Sequence, residues 1–66
     1  MTGVYVLLYK KKFIYIGQTK NWPGRIFKHK HIKFDEARLI ECKIDDLLYF
    51  ESRLIRIFKP KMNELV

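Results

Sequence analysis

The apolar positions of this chain begin with two short β-rich runs, residues 3–9 and 13–17, separated by three lysines. Runs of this length, rich in Val, Ile, Tyr and Phe and divided by a polar corner, predict a β-hairpin. The first run is apolar on both alternating sides, which is typical of a central strand covered on both faces. A three-residue loop, Lys10 to Lys12, would place Tyr5 and Tyr15 on one face, and a two-residue loop would place them on opposite faces. No glycine marks the turn type, so the pattern leaves the register open.

The next segment predicts a helix over about residues 22–30. Asn21 is a candidate N-cap, and Pro23 falls in the first turn, where a missing N–H does no harm. Arg25 and His29 are four positions apart, so the helix would make them neighbours on one face.

The second half predicts a third strand over residues 37–42 and a second helix over about residues 46–58. Asp45 or Asp46 is placed to cap this helix, where acidic groups suit the positive end of its dipole. Pro60 ends it, because the residue before a proline avoids helical backbone angles. The chain therefore reads as three strands and two helices.

One carboxylate, Glu51, falls in the apolar arc of the second helix. At about 100° per residue, that arc contains Leu47, Leu48, Phe50, Leu54, Ile55 and Phe58. Burying an unpartnered carboxylate is unfavourable, and two explanations stay open: a salt bridge to Arg38 or Lys43, or a metal ligand facing a cleft. A single carboxylate suits one Mg²⁺ or Mn²⁺ that keeps several waters, and it does not suit a two-metal site.

Charge is divided unevenly along the 66 residues, which are predicted to form a single domain, 1–66. Residues 1–34 contain eight Lys or Arg and no Asp or Glu, whereas the whole chain has a net charge of +7. This basic half predicts a polyanionic partner, with a merely solubilised surface as the alternative. Chains this short bury a marginal core, so a homodimer or a partner protein is a further expectation.

Cysteine usage and hydropathy predict an intracellular protein. Cys42 is the only cysteine and has no partner for an internal disulfide, which favours a reducing compartment. No apolar run approaches the roughly 20 residues that span a bilayer, and no signal peptide pattern is present. The expected location is the cytoplasm or the nucleoid.

The hairpin runs contain two triplets, nine residues apart, that carry a family resemblance: Gly3-Val4-Tyr5 and Tyr15-Ile16-Gly17. They resemble the signature of the GIY-YIG nucleases, with Val in place of the first Ile. Further positions that match in order are Arg25, His29, Glu51 and Asn63. The resemblance covers residues 3–63 and implies an α/β (α+β) fold, a small sandwich of a three-stranded, mainly antiparallel sheet with flanking helices. It also implies a DNA endonuclease that hydrolyses phosphodiester bonds with one divalent metal, Mg²⁺ or Mn²⁺.

The resemblance assigns roles to the residues of the hairpin and the first helix. Tyr5 would deprotonate the attacking water, for which nearby positive charge must depress its high ordinary pKa. Tyr15 would orient the water or the scissile phosphate. Arg25 would offset the negative charge that develops on phosphorus. His29 would hydrogen-bond Tyr5 or relay a proton.

The resemblance also makes Glu51 the metal ligand, and it lets Asn63 hold the site by hydrogen bonds, although Asn63 reads equally well as a polar residue of the tail. Lysines expected to contact phosphates are Lys10, Lys11, Lys12, Lys20, Lys28, Lys30 and Lys33. Such contacts supply affinity and salt dependence but no sequence readout. The alternatives are a nucleic-acid-binding module of the same fold with little or no catalysis, and an interaction subunit active only with a partner. DNA is the expected ligand, with RNA as the alternative.

Overall fold

The computed structural model of the chain describes residues 1–24 and 32–65. In this part of the chain, three strands form one sheet: β1 (Gly3–Tyr9), β2 (Lys12–Thr19) and β3 (Glu36–Glu41). The strand β1 lies between the other two and pairs with both in antiparallel orientation. The predicted antiparallel sheet, with its first strand at the centre, is confirmed.

The loop of the β1–β2 hairpin has two residues, Lys10 and Lys11, because Tyr9 pairs with Lys12. The φ angles of Lys10 and Lys11 are 51° and 66°. Two consecutive positive φ angles are what a type I′ two-residue hairpin turn requires, and Asn-Gly is the usual sequence there. The three-residue loop considered from the sequence is therefore wrong.

A β-bulge nevertheless brings Tyr5 and Tyr15 to the same face. Leu8 pairs with Phe13 whereas Leu7 pairs with Tyr15, so Ile14 is an extra residue in β2. One extra residue shifts the alternation of β2 by one position. This shift offsets the change of face that the shorter loop would cause.

The two faces of the sheet bury different sets of side chains. The helix face contains the buried residues Val4, Val6, Leu8 and Ile16, which pack against Leu47. The tyrosine face contains Tyr5, Leu7 and Ile32, against which pack Ile14, Tyr15, Trp22, Phe34, Ala37, Leu39 and Met62. Because β1 carries buried residues on both faces, it is the centre of both clusters.

The helix α1 (Leu47–Phe58) covers the helix face, and its bounds agree with the prediction within one residue. A short 3-10 helix, Ile44–Asp46, precedes it. Asp46 occupies the N-cap position, but its side chain makes no capping hydrogen bond, so the expected capping interaction is absent at this residue. Lys59 ends the helix with a left-handed backbone, φ 46°, and its N–H donates to the carbonyl of Ile55 at 2.8 Å.

Beyond the buried Pro60, a second 3-10 helix, Lys61–Leu65, lies against β2. It brings the C-terminal segment of the described chain back to the edge strand of the sheet. Among the residues described, no helix combines the length and the apolarity that crossing a membrane requires.

The predicted first helix, residues 22–30, falls mostly outside the described residues. Residues 21–23 form a bend and a turn and Gly24 has 3-10 conformation, so no α-helix has begun by Gly24. Of the predicted site residues, Arg25, Lys28, His29 and Lys30 lie outside the described residues.

Candidate active site

The phenol of Tyr5 lies over the backbone of Gly17. These two residues pair directly across β1 and β2. A Cβ atom on Gly17 would meet Tyr5 Oη at 2.5 Å and Tyr5 Cζ at 2.6 Å, closer than real Cβ contacts come. Glycine is therefore required at position 17 because the tyrosine ring occupies the volume of any larger side chain.

Three aromatic rings meet on the tyrosine face. The ring centroid of Tyr5 is 6.1 Å from that of Tyr15 and 5.7 Å from that of Trp22. These separations fall in the range of favourable tilted aromatic pairs. Tyr5 is only 1% exposed, whereas Tyr15 is half-buried. The two hairpin tyrosines therefore lie side by side, an arrangement that the sequence pattern left open, and Tyr15 is the more accessible of the two.

The carboxylate of Glu51 approaches β2 from the helix face. Its Oε1 accepts a hydrogen bond from Gln18 Nε2 at 3.2 Å. Desolvation by burial raises the pKa of Glu51 above its ordinary value, and the hydrogen bond from Gln18 lowers it in part. The helical periodicity therefore placed this carboxylate correctly, on the inner side of α1.

The alternative of a structural salt bridge finds no support at Arg38 or Lys43. Within the described ranges, the ion pair present joins Arg38 to Glu36. Glu51 is instead met by the neutral amide of Gln18. A neutral donor does not compensate the charge of a half-buried carboxylate, so a cation near Glu51 would be favourable.

Gln18 is a site residue that the sequence interpretation missed. The signal was available, because β-strand alternation puts Gln18 on the same face as Ile16, which belongs to the helix-face core. Gln18 also directly follows Gly17. The Tyr5 phenol and the Glu51 carboxylate therefore approach adjacent residues of β2 from opposite faces of the sheet.

The side-chain amide of Asn63 pairs with the backbone of Ile16 on the unpaired edge of β2. The Ile16 N–H donates to Asn63 Oδ1 at 2.8 Å, and Asn63 Nδ2 donates to the Ile16 carbonyl at 2.9 Å. The amide thus satisfies both backbone groups that a further strand would otherwise pair. Since Ile16 lies between Tyr15 and Gly17, Asn63 holds the strand where the tyrosine cluster and Gln18 meet.

Five of the lysines predicted to contact phosphates are described, and they fall into two groups. Lys20 follows the site end of β2, whereas Lys10, Lys11 and Lys12 surround the hairpin turn. The five residue-to-residue steps from Lys12 to Gly17 correspond to roughly 17 Å of strand. Lys33 belongs with the turn, because its Nζ lies 5.2 Å from the ring centroid of Tyr9 while Lys10 Nζ lies 5.4 Å from it.

No model of a known protein family matches the chain. The UvrABC system protein C of Fervidobacterium nodosum is 30% identical over 76 residues, covering 98% of this chain and 14% of that protein. The UvrABC system protein C of Thermosipho africanus is 33% identical over 72 residues, covering 92% of this chain and 13% of that protein. The chain therefore spans about one-seventh of the length of the curated relatives it matches.

A solved structure gives the closer view of the fold. The GIY-YIG N-terminal endonuclease domain of UvrC from Thermotoga maritima, a point mutant bound to its catalytic divalent cation, superposes with a TM-score of 0.77 and 25% identity. The match covers 92% of this chain and 80% of that domain. This chain belongs to the GIY-YIG nuclease superfamily. The predicted family, fold class and enzyme class, a GIY-YIG-type nuclease, are confirmed. The roles of Tyr5, Tyr15, Arg25, His29, Glu51 and Asn63 stay predictions.

Proposed function

We propose that this GIY-YIG domain is a DNA endonuclease that hydrolyses phosphodiester bonds with one divalent cation held by Glu51. The observation that carries the proposal is the half-buried Glu51 carboxylate, which is met by a neutral amide and aimed at the residue beside Gly17. The relatives named as UvrABC system protein C, and the cation bound to the Thermotoga maritima domain, support this choice.

The donor set at Glu51 fits a hard cation. A carboxylate oxygen is the ligand that Mg²⁺ and Mn²⁺ prefer, and these ions keep several waters when the protein offers one or two oxygens. Among the described residues, no group of three or more His, Cys, Asp or Glu side chains lies together, so these residues offer no all-protein cage. A bound Mg²⁺ or Mn²⁺ would supply Lewis-acid polarisation of the scissile phosphate and compensation of the charge on the leaving oxygen.

The other candidate site residues are assigned the remaining catalytic and positioning roles. Tyr5 would deprotonate the attacking water and Tyr15 would orient the water or the scissile phosphate. Both rings lie on the face of the sheet opposite Glu51, so the bound phosphate would have to pass the end of β2 to meet the tyrosines and the cation together. Tyr5 is 1% exposed, and its ring packs beside that of Tyr15, so Tyr5 also fixes the position of Tyr15. Arg25 offsets the charge on phosphorus, and His29 assists proton movement. Asn63 holds β2 in place.

The partner that we assign is DNA inside the cell. Further proteins would supply the specificity for a particular site on that DNA. The lysines at both ends of β2 are exposed and would contact phosphates. One site cuts one strand, so double-strand cleavage would take a dimer or two successive binding events.

Nicking of a supercoiled plasmid tests the proposal. Wild type is expected to nick in Mg²⁺ or Mn²⁺, and Glu51→Gln is expected to lower the rate by at least about 100-fold because the amide is a poor cation ligand. Glu41→Gln, a change of an exposed glutamate on β3, is the matched control and should nick like wild type. Arg25→Ala is expected to lower the rate as well.

Thermal unfolding of the same variants excludes misfolding as the cause. A carboxyl group whose pKa is raised on folding holds its proton more tightly when folded, so the fold loses stability as pH rises through that pKa. Glu51→Gln removes this loss, and its Tm at pH 8 should therefore be equal to or slightly above that of wild type. At a pH low enough to protonate Glu51, the two melting temperatures should agree.

The outcomes separate the rival functions. If Glu51→Gln and Arg25→Ala both nick as fast as wild type, the assigned roles are wrong. If wild type binds DNA and never cuts it with either cation, the domain is a binding module. If it neither binds nor cuts until a partner protein is added, it is an interaction subunit.

A further inference from the structure

The outer side of α1 and the turn before it present a set of exposed residues that the active site does not use. This surface, which we call the outer face, consists of Asp45, Leu48, Tyr49, Ser52, Arg53 and Arg56. They line a shallow groove of about 410 Å³. All are exposed, with Leu48 at 67% and Tyr49 at 59%. Leu48 and Tyr49 line the same groove, and adjoining exposed apolar side chains form a candidate contact surface, whereas single ones are ordinary.

The composition of the outer face favours a protein partner. It contains Tyr and Arg and lacks Lys and Glu, which is the pattern of buried protein–protein contacts. Arg53 Nη1 already donates to the Tyr49 hydroxyl at 2.9 Å, which orders both side chains. Asp45 would repel a phosphate entering the same groove, and the lysines that suit nucleic acid lie elsewhere.

The charges along the outer face would match those of a second copy that is turned end to end. Asp45 lies at the N-terminal end of the groove, whereas Arg53 and Arg56 lie toward its C-terminal end. If a second copy packs its α1 antiparallel to the first, each acidic end meets a basic end. Antiparallel packing also pairs the opposite ends of the two helix dipoles.

The spacing of the outer face fits the same arrangement. With a two-fold axis crossing α1 midway between residues 50 and 51, Asp45 of one copy faces the second copy's Arg56. The same axis sets Tyr49 opposite Ser52, a large side chain against a small one, and Leu48 opposite the stem of Arg53. All six residues make a contact across the axis, and each of the three pairs occurs twice in the dimer, as in any isologous interface.

We propose that the outer face of α1 is a homodimer interface in which two copies pack their helices antiparallel, with Asp45 paired to Arg56 across the two-fold axis. A 12-residue helix is only about 18 Å long, so the contact is smaller than a standard stable interface. We expect a weak dimer, with a Kd of about 10–100 µM. Glu51 lies on the opposite side of α1, so the dimer would leave the candidate active site uncovered.

Sedimentation equilibrium of the 66-residue chain, from about 1 µM to about 1 mM without nucleic acid, tests the proposal. Wild type should change from monomer to dimer over this range. Asp45→Lys and Arg56→Glu, each alone, should raise the Kd at least about tenfold, because each sets like charges opposite one another. The experiment needs neither metal nor cleavage, so its failure is separate from failure of the proposed nuclease function.

Charge exchange is the decisive control. Mixing Asp45→Lys with Arg56→Glu recreates opposite charges across the axis, and so does the double variant that carries both changes in one chain. Both samples should regain dimerisation, a recovery that misfolding could not produce. Circular dichroism of each variant checks that α1 is intact.

Three results would overturn the proposal. Wild type could stay monomeric up to about 1 mM. Both single variants could dimerise as well as wild type, which would place the interface elsewhere. The double variant could fail to regain the dimer, which would exclude the Asp45–Arg56 pairing. A monomeric wild type whose DNA binding falls in Arg56→Glu would show that the outer face binds nucleic acid instead.

Discussion

The two ends of the β1–β2 hairpin are held in different ways. At the site end, other parts of the chain contact three consecutive residues of β2: Asn63 bonds Ile16, Tyr5 covers Gly17, and Glu51 accepts from the side chain of the next residue. At the turn end, the Lys10 N–H donates to the exposed carboxylate of Asp35 at 3.1 Å.

The difference corresponds to what each end would have to do. Cleavage requires reacting groups held within a fraction of an ångström, so the site end is fixed by hydrogen bonds and by close ring contact. Attraction of a polyanion depends on charge and tolerates side-chain movement, so exposed lysines at the turn are sufficient. The comparison predicts that substitutions at the site end lower stability and activity together. Substitutions at the turn should instead weaken DNA binding without lowering stability.

The largest effect is expected from Gly17→Ala. The new Cβ would fall 2.5 Å from Tyr5 Oη, so the phenol or the strand must move. We expect a loss of about 3 kcal/mol of stability, a Tm lower by about 12–24 °C, and nicking slower by more than about 100-fold. Thermal unfolding and plasmid nicking measure the two effects.

Gly24→Ala is the matched control for this substitution. Its Cβ would meet the side chain of exposed Asn21 at 3.2 Å, and that side chain can turn away. A stability change below about 0.5 kcal/mol is expected. Equal losses in Gly17→Ala and Gly24→Ala would contradict the importance of the contact between Tyr5 and Gly17.

A smaller effect is expected from Asn63→Ala, which leaves the N–H and carbonyl of Ile16 without their side-chain partner. We expect a loss of about 1–2 kcal/mol and nicking slower by about tenfold, since the strand would be less well fixed beside Tyr15. Asn63→Asp keeps an acceptor for the N–H but sets a carboxylate oxygen against the Ile16 carbonyl, so at neutral pH it should lose at least as much stability as the alanine variant. Unchanged amide exchange at Ile16 in Asn63→Ala would show that the bond is not needed to hold this edge.

The smallest effect on the fold, and one of opposite sign, is expected at the turn. Replacing Lys10 and Lys11 with Asn and Gly puts residues suited to positive φ into the turn and removes two charges. Stability should rise by about 0.5 kcal/mol, while the slope of log K against log salt for DNA binding falls by about two. Lys61→Ala, an exposed lysine outside the predicted set, should leave that slope unchanged.

Local patterns in the sequence were enough to predict much of the fold and part of the site. The alternation and apolarity of residues 3–9 identified the central strand, and the 3.6-residue period placed Glu51 on the inner side of α1. These signals are local, because each depends on residues within a few positions of one another. The order of the matching residues was enough to identify the superfamily.

The tertiary structure decided the rest, because the interactions concerned join residues far apart in the chain. Gln18 reaches Glu51 across 33 positions, and Asn63 reaches Ile16 across 47. The bulge at Ile14, which returns Tyr15 to the face of Tyr5, follows from packing in the sheet and has no marker such as glycine in the sequence. The sequence by itself determined which groups are available for chemistry, whereas only the folded sheet determined which of them meet.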